Sequence, residues 1–364
     1  MFATRRPRAQ AADPAGFRMA PRLPHDTRRV LSAIHPYSRH VLPRRCTMPM
    51  MSPETAPGSH ALDLVSIGEC LVEFNRDADG CFRPAFAGDA FNALFYAGRL
   101  GLRTGFISAL GDDLFTPMIE EGITREGIDT TCLARLAGYR NGLYFIELDD
   151  QGEYTFHFWR GGSAATRTLL HHDPEDLAAY ASRSSFLLLT GIGLAVLDGG
   201  DRLPHLLRKI RGLTKVVFDT NYRARLWDGP ETFRRRMEEV LPFVDIFLPT
   251  LADLRPLYPG ASATDMFRQF TSLGIGTVVM KNGAEGCAIW HDGAEVAIPP
   301  PAPVSILDAT GAGDAFNAGL IAGMARGLAM EECCMLAHRV AARALRVCGA
   351  IDHRFAPWMV ASDP

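Results

Sequence analysis

The sequence predicts an α/β fold: a mainly parallel sheet covered by helices on both faces, with a small β-rich lid. Short apolar runs alternate with longer amphipathic ones at the spacing of βα units. Residues 132–160 break that rhythm with a hairpin pattern, and one heptapeptide occurs twice, each time at the head of a helical stretch.

The expected strands are Leu62 to Ile67, Thr104 to Leu110, Phe186 to Thr190, Lys215 to Asp219, Ile246 to Pro249 and Thr277 to Met280. Amphipathic stretches such as Arg202 to Arg211 and Thr232 to Leu241 supply helices between them. In the insertion, Gly142 to Asp149 and Glu153 to Trp159 flank an Asp-Asp-Gln-Gly turn, which reads as a β-hairpin and a candidate lid.

With 364 residues, 47% of them hydrophobic, the chain can bury one large α/β core or two modest ones. Residues 1–58 are rich in Arg, Pro and Ala without sustained periodicity, so disorder is expected there. A transit-type leader or a start assigned too far upstream accounts for such a segment equally well. The folded domain is expected over 59–358, with lid elements near 70–87 and 132–160 and a short tail at 359–364.

Composition excludes several classes. Residues 1–50 hold ten Arg against two Asp, and without them 28 basic residues face 39 acidic ones. A body of that balance lacks the basic surface that sequence-independent nucleic-acid binding requires. The eight cysteines form no CxxC pair, which fits reduced thiols and a cytoplasmic setting better than a zinc site or a disulfide framework. No apolar run approaches the ~18 residues of a membrane-spanning helix. The histidines, His171 and His172 included, lack ligand spacing.

The repeated heptapeptide is Ala-Gly-Asp-Ala-Phe-Asn-Ala, at 87–93 and again at 312–318. Each copy precedes a helical stretch, Phe91 to Leu100 and Phe316 to Leu328. Small residues there (Ala97, Gly98; Gly319, Ala322, Gly323) permit close packing. The second copy lies in Asp308-Ala-Thr-Gly-Ala-Gly-Asp-Ala-Phe316, which should set the amides of Gly311, Ala312 and Gly313 at a helix N-terminus. Unpaired N–H groups and the helix dipole attract phosphate there. Asp314 in the first turn would sit where a hydroxyl meets that phosphate, although a purely structural cap is the alternative for Asp at such a place. No P-loop exists, because none of Lys209, Lys215 and Lys281 follows Gly and precedes Ser or Thr. The dinucleotide fingerprint fails as well: Gly311 and Gly313 are followed by Phe316, and Gly191 and Gly193 by Val196.

The string from Asp308 to Phe316 resembles the C-terminal signature of the ribokinase-like (PfkB) carbohydrate kinases. Ala87 to Asn92, with Arg99-Leu-Gly101 and Ala109 to Asp113, resembles the N-terminal one. The resemblance spans about Leu62 to Pro357 and implies a three-layer sandwich, ATP and Mg2+ as cofactors, and Asp314 as catalytic base beside an anion hole of Gly311, Ala312 and Gly313. It also implies that Gly88, Asp89 and Asn92 bind sugar hydroxyls, with helix capping by Asp89 as the alternative.

Gly142-Leu-Tyr-Phe-Ile146, Phe158 to Ala165, Thr190 to Ala195 and Phe218 to Trp227 are similar to segments of the 2-keto-3-deoxygluconate kinases within that family. That resemblance implies phosphorylation of a sugar acid at its terminal hydroxyl. Arg160 would anchor the substrate carboxylate, as arginine does through paired charge-assisted bonds, and Tyr144 would line the sugar pocket. Asn221 and Arg223 would approach nucleotide phosphates and substrate. Lys281, Gly283 and Gly286, in the turn Met280 to Gly286, would lie near ATP, and Asp352 would be a substrate-side acid. Homo-oligomers are expected on the same resemblance. Two departures stand out: Phe158 replaces a frequent aromatic hydroxyl, and Thr250-Leu-Ala-Asp253 stands where an Asn-x-x-Glu element organises magnesium, leaving Asp253 as the metal-side carboxylate. A neutral-sugar kinase, a non-catalytic sugar sensor and a dinucleotide oxidoreductase are the competing readings.

Overall fold

The computed structural model describes residues 60–76, 80–148, 154–291, 294–301 and 305–356. The expectations for 1–58 and 359–364, and the turn at 149–152, fall outside those residues.

Strand β1 (Leu62–Ile67) leads through Gly68 and Glu69 into β2 (Leu71–Arg76) and β3 (Phe82–Ala87). Helix α1 (Asp89–Arg99), strand β4 (Thr104–Leu110), helix α2 (Thr116–Arg125) and strand β5 (Leu133–Arg135) follow. The expected hairpin is β6 (Leu143–Leu148) paired antiparallel with β7 (Tyr154–Trp159). Helices α3 (Thr168–His171) and α4 (Pro174–Ala181) precede β8 (Ser184–Thr190), and α5 (Gly191–Val196) and α6 (Arg202–Ile210) precede β9 (Lys215–Asp219). Then come α7 (Pro230–Val240), β10 (Ile246–Leu248), α8 (Leu251–Leu254), α9 (Ala263–Ser272) and β11 (Thr277–Lys281). Strands β12 (Cys287–His291) and β13 (Ala294–Ile298) and helices α10 (Ala312–Ala325) and α11 (Met330–Ala344) complete the order.

Nine strands form one sheet in the order β13-β12-β11-β10-β9-β8-β1-β4-β5. It is parallel from β11 to β5, and β12 and β13 add an antiparallel edge. Successive residues of the inner strands point to opposite faces. Leu188 and Val217 join one buried cluster, with α1, α10 and α11; Leu187, Leu189, Val216 and Phe218 join another, with α4, α6, α7 and α9. The result is the expected three-layer sandwich. A separate four-stranded sheet, β3-β2-β6-β7, forms the lid.

Helix α6 shows why the pattern was readable: Leu203, Leu206, Leu207 and Ile210 are buried along one stripe, while Arg208 and Lys209 face out. Helix α10 has no such stripe, because nearly every residue from Asp314 to Gly323 is buried. Its glycines admit α11. A Cβ on Gly319 would lie 2.7 Å from Ala337 Cα, and one on Gly323 2.8 Å from Cys333 Sγ. One boundary differs from expectation. The helices do not follow the two heptapeptides but start within the first, at Asp89, and at the head of the second, at Ala312. Gly, Ala, Asp and Asn give no apolar periodicity, so the pattern started late.

Candidate active site

The parallel strands β1, β8, β9, β10 and β11 deliver Glu69, Thr190, Asp219 to Asn221, Asp253 and Lys281 at or just beyond their carboxyl ends, where open α/β sheets bind ligands. The N-termini of α1 and α10 meet there.

The turn before α10 is held by Asp308. Its Oδ1 accepts from Thr310 N at 2.8 Å and Thr310 Oγ1 at 2.6 Å, and its Oδ2 from Gly349 N at 2.8 Å. Gly311 caps the helix at φ 75°, a left-handed conformation, with a would-be Cβ only 2.4 Å from Ala350 O. Ala312 N donates back to Ala309 O at 3.3 Å. Among the described residues, the amides of Gly313 and Asp314 have no protein acceptor. The space beside Gly313 is open: the atom nearest a Cβ there would be Lys281 Nζ at 4.0 Å.

Asp314 is buried, and its Oδ2 accepts from Asn92 Nδ2 at 2.8 Å. Burial, with the negative charges of Asp89 and Asp219, pushes its pKa up to about 8 against the opposing Asn92 bond and the Arg223 charge. Asp89 is buried too. Its Oδ2 accepts from Thr190 Oγ1 at 2.5 Å and Asn221 Nδ2 at 3.2 Å, while its Oδ1 has no partner. Burial raises the Asp89 pKa. Gly88 is extended, and a Cβ there would come within 2.5 Å of Glu69 O. Its N–H donates to Asn92 Oδ1 at 3.2 Å, so Asn92 ties the start of α1 to Asp314.

Beneath these lies a closed trio. Lys281 Nζ donates to Asp219 Oδ2 at 2.8 Å and to Asn317 Oδ1 at 3.2 Å, and Asn317 Nδ2 donates to the same Asp219 oxygen at 2.6 Å. Asn221 adopts φ 30° with its N–H on Asp219 Oδ1 at 3.1 Å. Arg223 is exposed, with Nη1 donating to Tyr222 O at 3.1 Å. Asp253 Oδ2 accepts from Thr220 Oγ1 and Tyr222 N, both at 3.2 Å. Burial and then Asp219 raise its pKa. Gly283 (φ 58°) and Gly286 (φ 91°) shape the turn after β11. A Cβ at Gly286 would meet Ile298 O at 2.2 Å, so the fold by itself requires glycine there.

On the lid, Arg160 Nη1 pairs with Glu69 Oε1 at 2.6 Å, and its guanidinium lies 4.2 Å from the Phe158 ring centroid. Phe158 is 45% exposed and stacks on Tyr144 at 5.1 Å. Tyr144 is buried and donates its hydroxyl to Glu73. Asp352 is tied to α1 and its own loop: its N–H donates to Tyr96 OH at 3.0 Å and its Oδ1 accepts from Arg354 N at 3.0 Å. Sequence reasoning gave no role to Glu69, Glu73, Thr190, Asn317 and Asp308, and placed Asp219 only by its position at the carboxyl end of an apolar strand. The usable signal was position, because Glu69 and Asp219 are acids at the ends of apolar strands.

The model of the pfkB family of carbohydrate kinases matches residues 61–355. The chain is 33% identical over 301 residues to the 2-dehydro-3-deoxygluconokinase of Haemophilus influenzae, covering 80% of this chain and 95% of that protein. A fructokinase of Escherichia coli is 30% identical over 296 residues, covering 78% and 94%. The structure superposes on a PfkB protein from Polaromonas sp. JS666 with TM-score 0.73 and 26% identity, covering 83% of this chain and 100% of that one.

Proposed function

The chain belongs to the pfkB family of carbohydrate kinases, and we infer that it transfers the γ-phosphate of ATP to the terminal hydroxyl of 2-dehydro-3-deoxygluconate, yielding the 6-phosphate. It is an ATP-dependent sugar kinase whose substrate is a small sugar molecule. ATP and a divalent cation are its cofactors. The relative from Haemophilus influenzae supports the sugar acid as acceptor.

One observation carries the chemistry: a buried carboxylate, Asp314, in the first turn of a helix whose Gly313 and Asp314 amides are unclaimed. Phosphoryl transfer needs in-line positioning, charge stabilisation and an acceptor for the hydroxyl proton. In this reading Asp314 takes the proton, Asn92 fixes its orientation, and the open amides with Gly311 and Ala312 stabilise charge on the transferring phosphoryl group. Asp89 accepts from a sugar hydroxyl through its unpartnered Oδ1, with Gly88 and Asn92 shaping that wall. Arg160 holds the substrate carboxylate, Arg223 approaches the nucleotide phosphates and substrate, and Tyr144, Phe158 and Asp352 line or back the sugar pocket. Asn221, Gly283 and Gly286 lie on the nucleotide side, with Lys281 acting through Asp219.

The divalent ion, proposed to be Mg2+, neutralises phosphate charge during transfer. The described residues hold no cluster of three metal-ligating side chains. That suits an ion carried mainly by phosphate and water. Asp253 would hold such a water, because its protein bonds fall on Oδ2. No described helix is long and apolar enough to cross a membrane; a cytoplasmic setting is proposed with the function. Exposed Phe82 and Trp159 on the lid sheet support pairing of copies there.

A neutral-sugar kinase is the second reading, favoured by one observation: the charge of Arg160 is already answered by Glu69. A coupled ADP-release assay on 2-dehydro-3-deoxygluconate, fructose and ribose decides between them. The sugar acid is expected to give the highest kcat/KM. A neutral sugar exceeding it would remove the acid reading.

A further inference from the structure

The Glu69–Arg160 pair is unusual in what it leaves bare. Glu69 is 2% exposed and the Arg160 side chain 12%. Glu69 Oε2 and Arg160 Nε are both buried without a partner, and so is Oδ1 of Asp89, whose charge acts on Glu69. Buried polar atoms are normally satisfied, and an orphan is destabilising. Such orphans on charged side chains that act on one another mark places that a polar ligand completes. The charges facing Glu69 are few: Arg160 from the end of β7 and Asp89 from α1. Arg223 lies close enough to Asp89 to act on its charge, and Glu73 follows on β2 with its carboxylate bonded by Tyr144 and Asn75.

Resting on the sugar-acid reading above, we propose that Glu69 is a specificity-determining residue that takes up a proton from solvent when an anionic substrate binds Arg160. The argument is a count of charge. The largely buried Arg160 guanidinium balances one carboxylate, that of Glu69. A substrate carboxylate arriving at the same guanidinium makes two, and two carboxylates in a poorly solvated site do not both stay ionised. Glu69 is the one that yields. Burial already raises its pKa to about 7 despite Arg160, so the proton is taken at little cost near neutral pH. Once neutral, Glu69 has an O–H that the substrate carboxylate can accept, while Arg160 Nε has an N–H to donate to the same carboxylate. A neutral sugar brings no second charge and calls for no proton.

The consequence is linkage between affinity and pH. Above pH 7 the affinity for the acid should fall by up to about tenfold per pH unit, while that for a neutral sugar stays flat. Below pH 6 Glu69 is protonated beforehand, and the dependence vanishes.

The test is titration calorimetry of the full chain with 2-dehydro-3-deoxygluconate at pH 6 and pH 8. Buffers of differing ionisation enthalpy report the protons taken up. Wild type is expected to take up close to one proton at pH 8 (about 0.8 or more) and little at pH 6. Glu69→Gln, which keeps the shape and a hydrogen bond to Arg160, is expected to bind the acid with no uptake. Binding by wild type without uptake at pH 8 would overturn the proposal and leave the sugar-acid reading intact. So would uptake that persists in Glu69→Gln and disappears in Asp314→Asn. If wild type binds fructose and not the acid, the reading itself fails and the proposal with it.

Discussion

The two copies of Ala-Gly-Asp-Ala-Phe-Asn-Ala have the same seven side chains and different surroundings. In the first, Gly88 precedes the helix and Asp89 is its first residue; in the second, the helix begins at Ala312, and Gly313 and Asp314 lie inside its first turn. The shift arises from what comes before. Gly311 turns the chain at φ 75° against Ala350, so winding starts two residues earlier. Asp89 is consequently clasped by Thr190 and Asn221 with one oxygen left over, whereas Asp314 is held by Asn92 alone, beside unclaimed amides. The glycines diverge as well. Gly88 is required by the Glu69 carbonyl 2.5 Å from its missing Cβ, while the space at Gly313 is empty of protein. Identical local sequence has given one site suited to holding a hydroxyl and one suited to removing its proton.

The comparison breaks most visibly at the two acids. Asp314→Asn is expected to lower kcat by about 10²- to 10⁴-fold with little change in the sugar KM, the usual worth of a positioned base. Asp89→Asn should act mainly on KM, raising it by roughly tenfold to a hundredfold, as steady-state kinetics on both variants will show. Equal effects of the two substitutions would erase the distinction.

Next in size are the glycines. Gly88→Ala should cost about 1–3 kcal/mol of stability by overpacking against backbone, read from denaturant unfolding. Gly313→Ala should leave stability unchanged and raise the KM for ATP about tenfold, as expected when a Cβ enters space meant for phosphate.

A smaller effect concerns stability and pH. Asp314 titrates in the folded chain near 8, far above an unfolded aspartate. Its contribution is therefore complete below about pH 4 and lost as pH rises through 8. Asp314→Asn cannot ionise, so its Tm should match wild type below about pH 4 and exceed it increasingly as pH rises, by about 5 °C or more at pH 8.5.

Much of the fold was legible because strands such as β4 and β9 are bounded apolar runs; their limits were read as they stand in the structure. The hairpin β6–β7 was readable from its turn. The antiparallel edge β12–β13 was not, since its strands mix Trp290, His291 and Glu295 with small residues and show no clean alternation. At the site, the helix starts announced themselves through glycine and aspartate. What stayed hidden were pairings across long stretches of chain, Glu69 with Arg160 and Asp219 with Lys281, 91 and 62 residues apart. No local spacing encodes such a pair; the order of strands in the sheet does. Arg160 was chosen as a carboxylate anchor without its protein carboxylate, and Lys281 as a nucleotide contact although its ammonium is bonded to Asp219 and Asn317.

The most direct test of the difference between the copies is the pH dependence of kcat, at saturating sugar, from pH 6 to 9.5 in wild type and Asp89→Asn. A base whose pKa is raised by burial and by Asp89 predicts a rate that climbs with pH, is half-maximal near 8 and levels above about 9. In Asp89→Asn the climb should shift to lower pH, because one repelling charge is gone. A wild-type profile flat across that range, or a midpoint unmoved by Asp89→Asn, would contradict the assignment of Asp314 as the group that takes the proton.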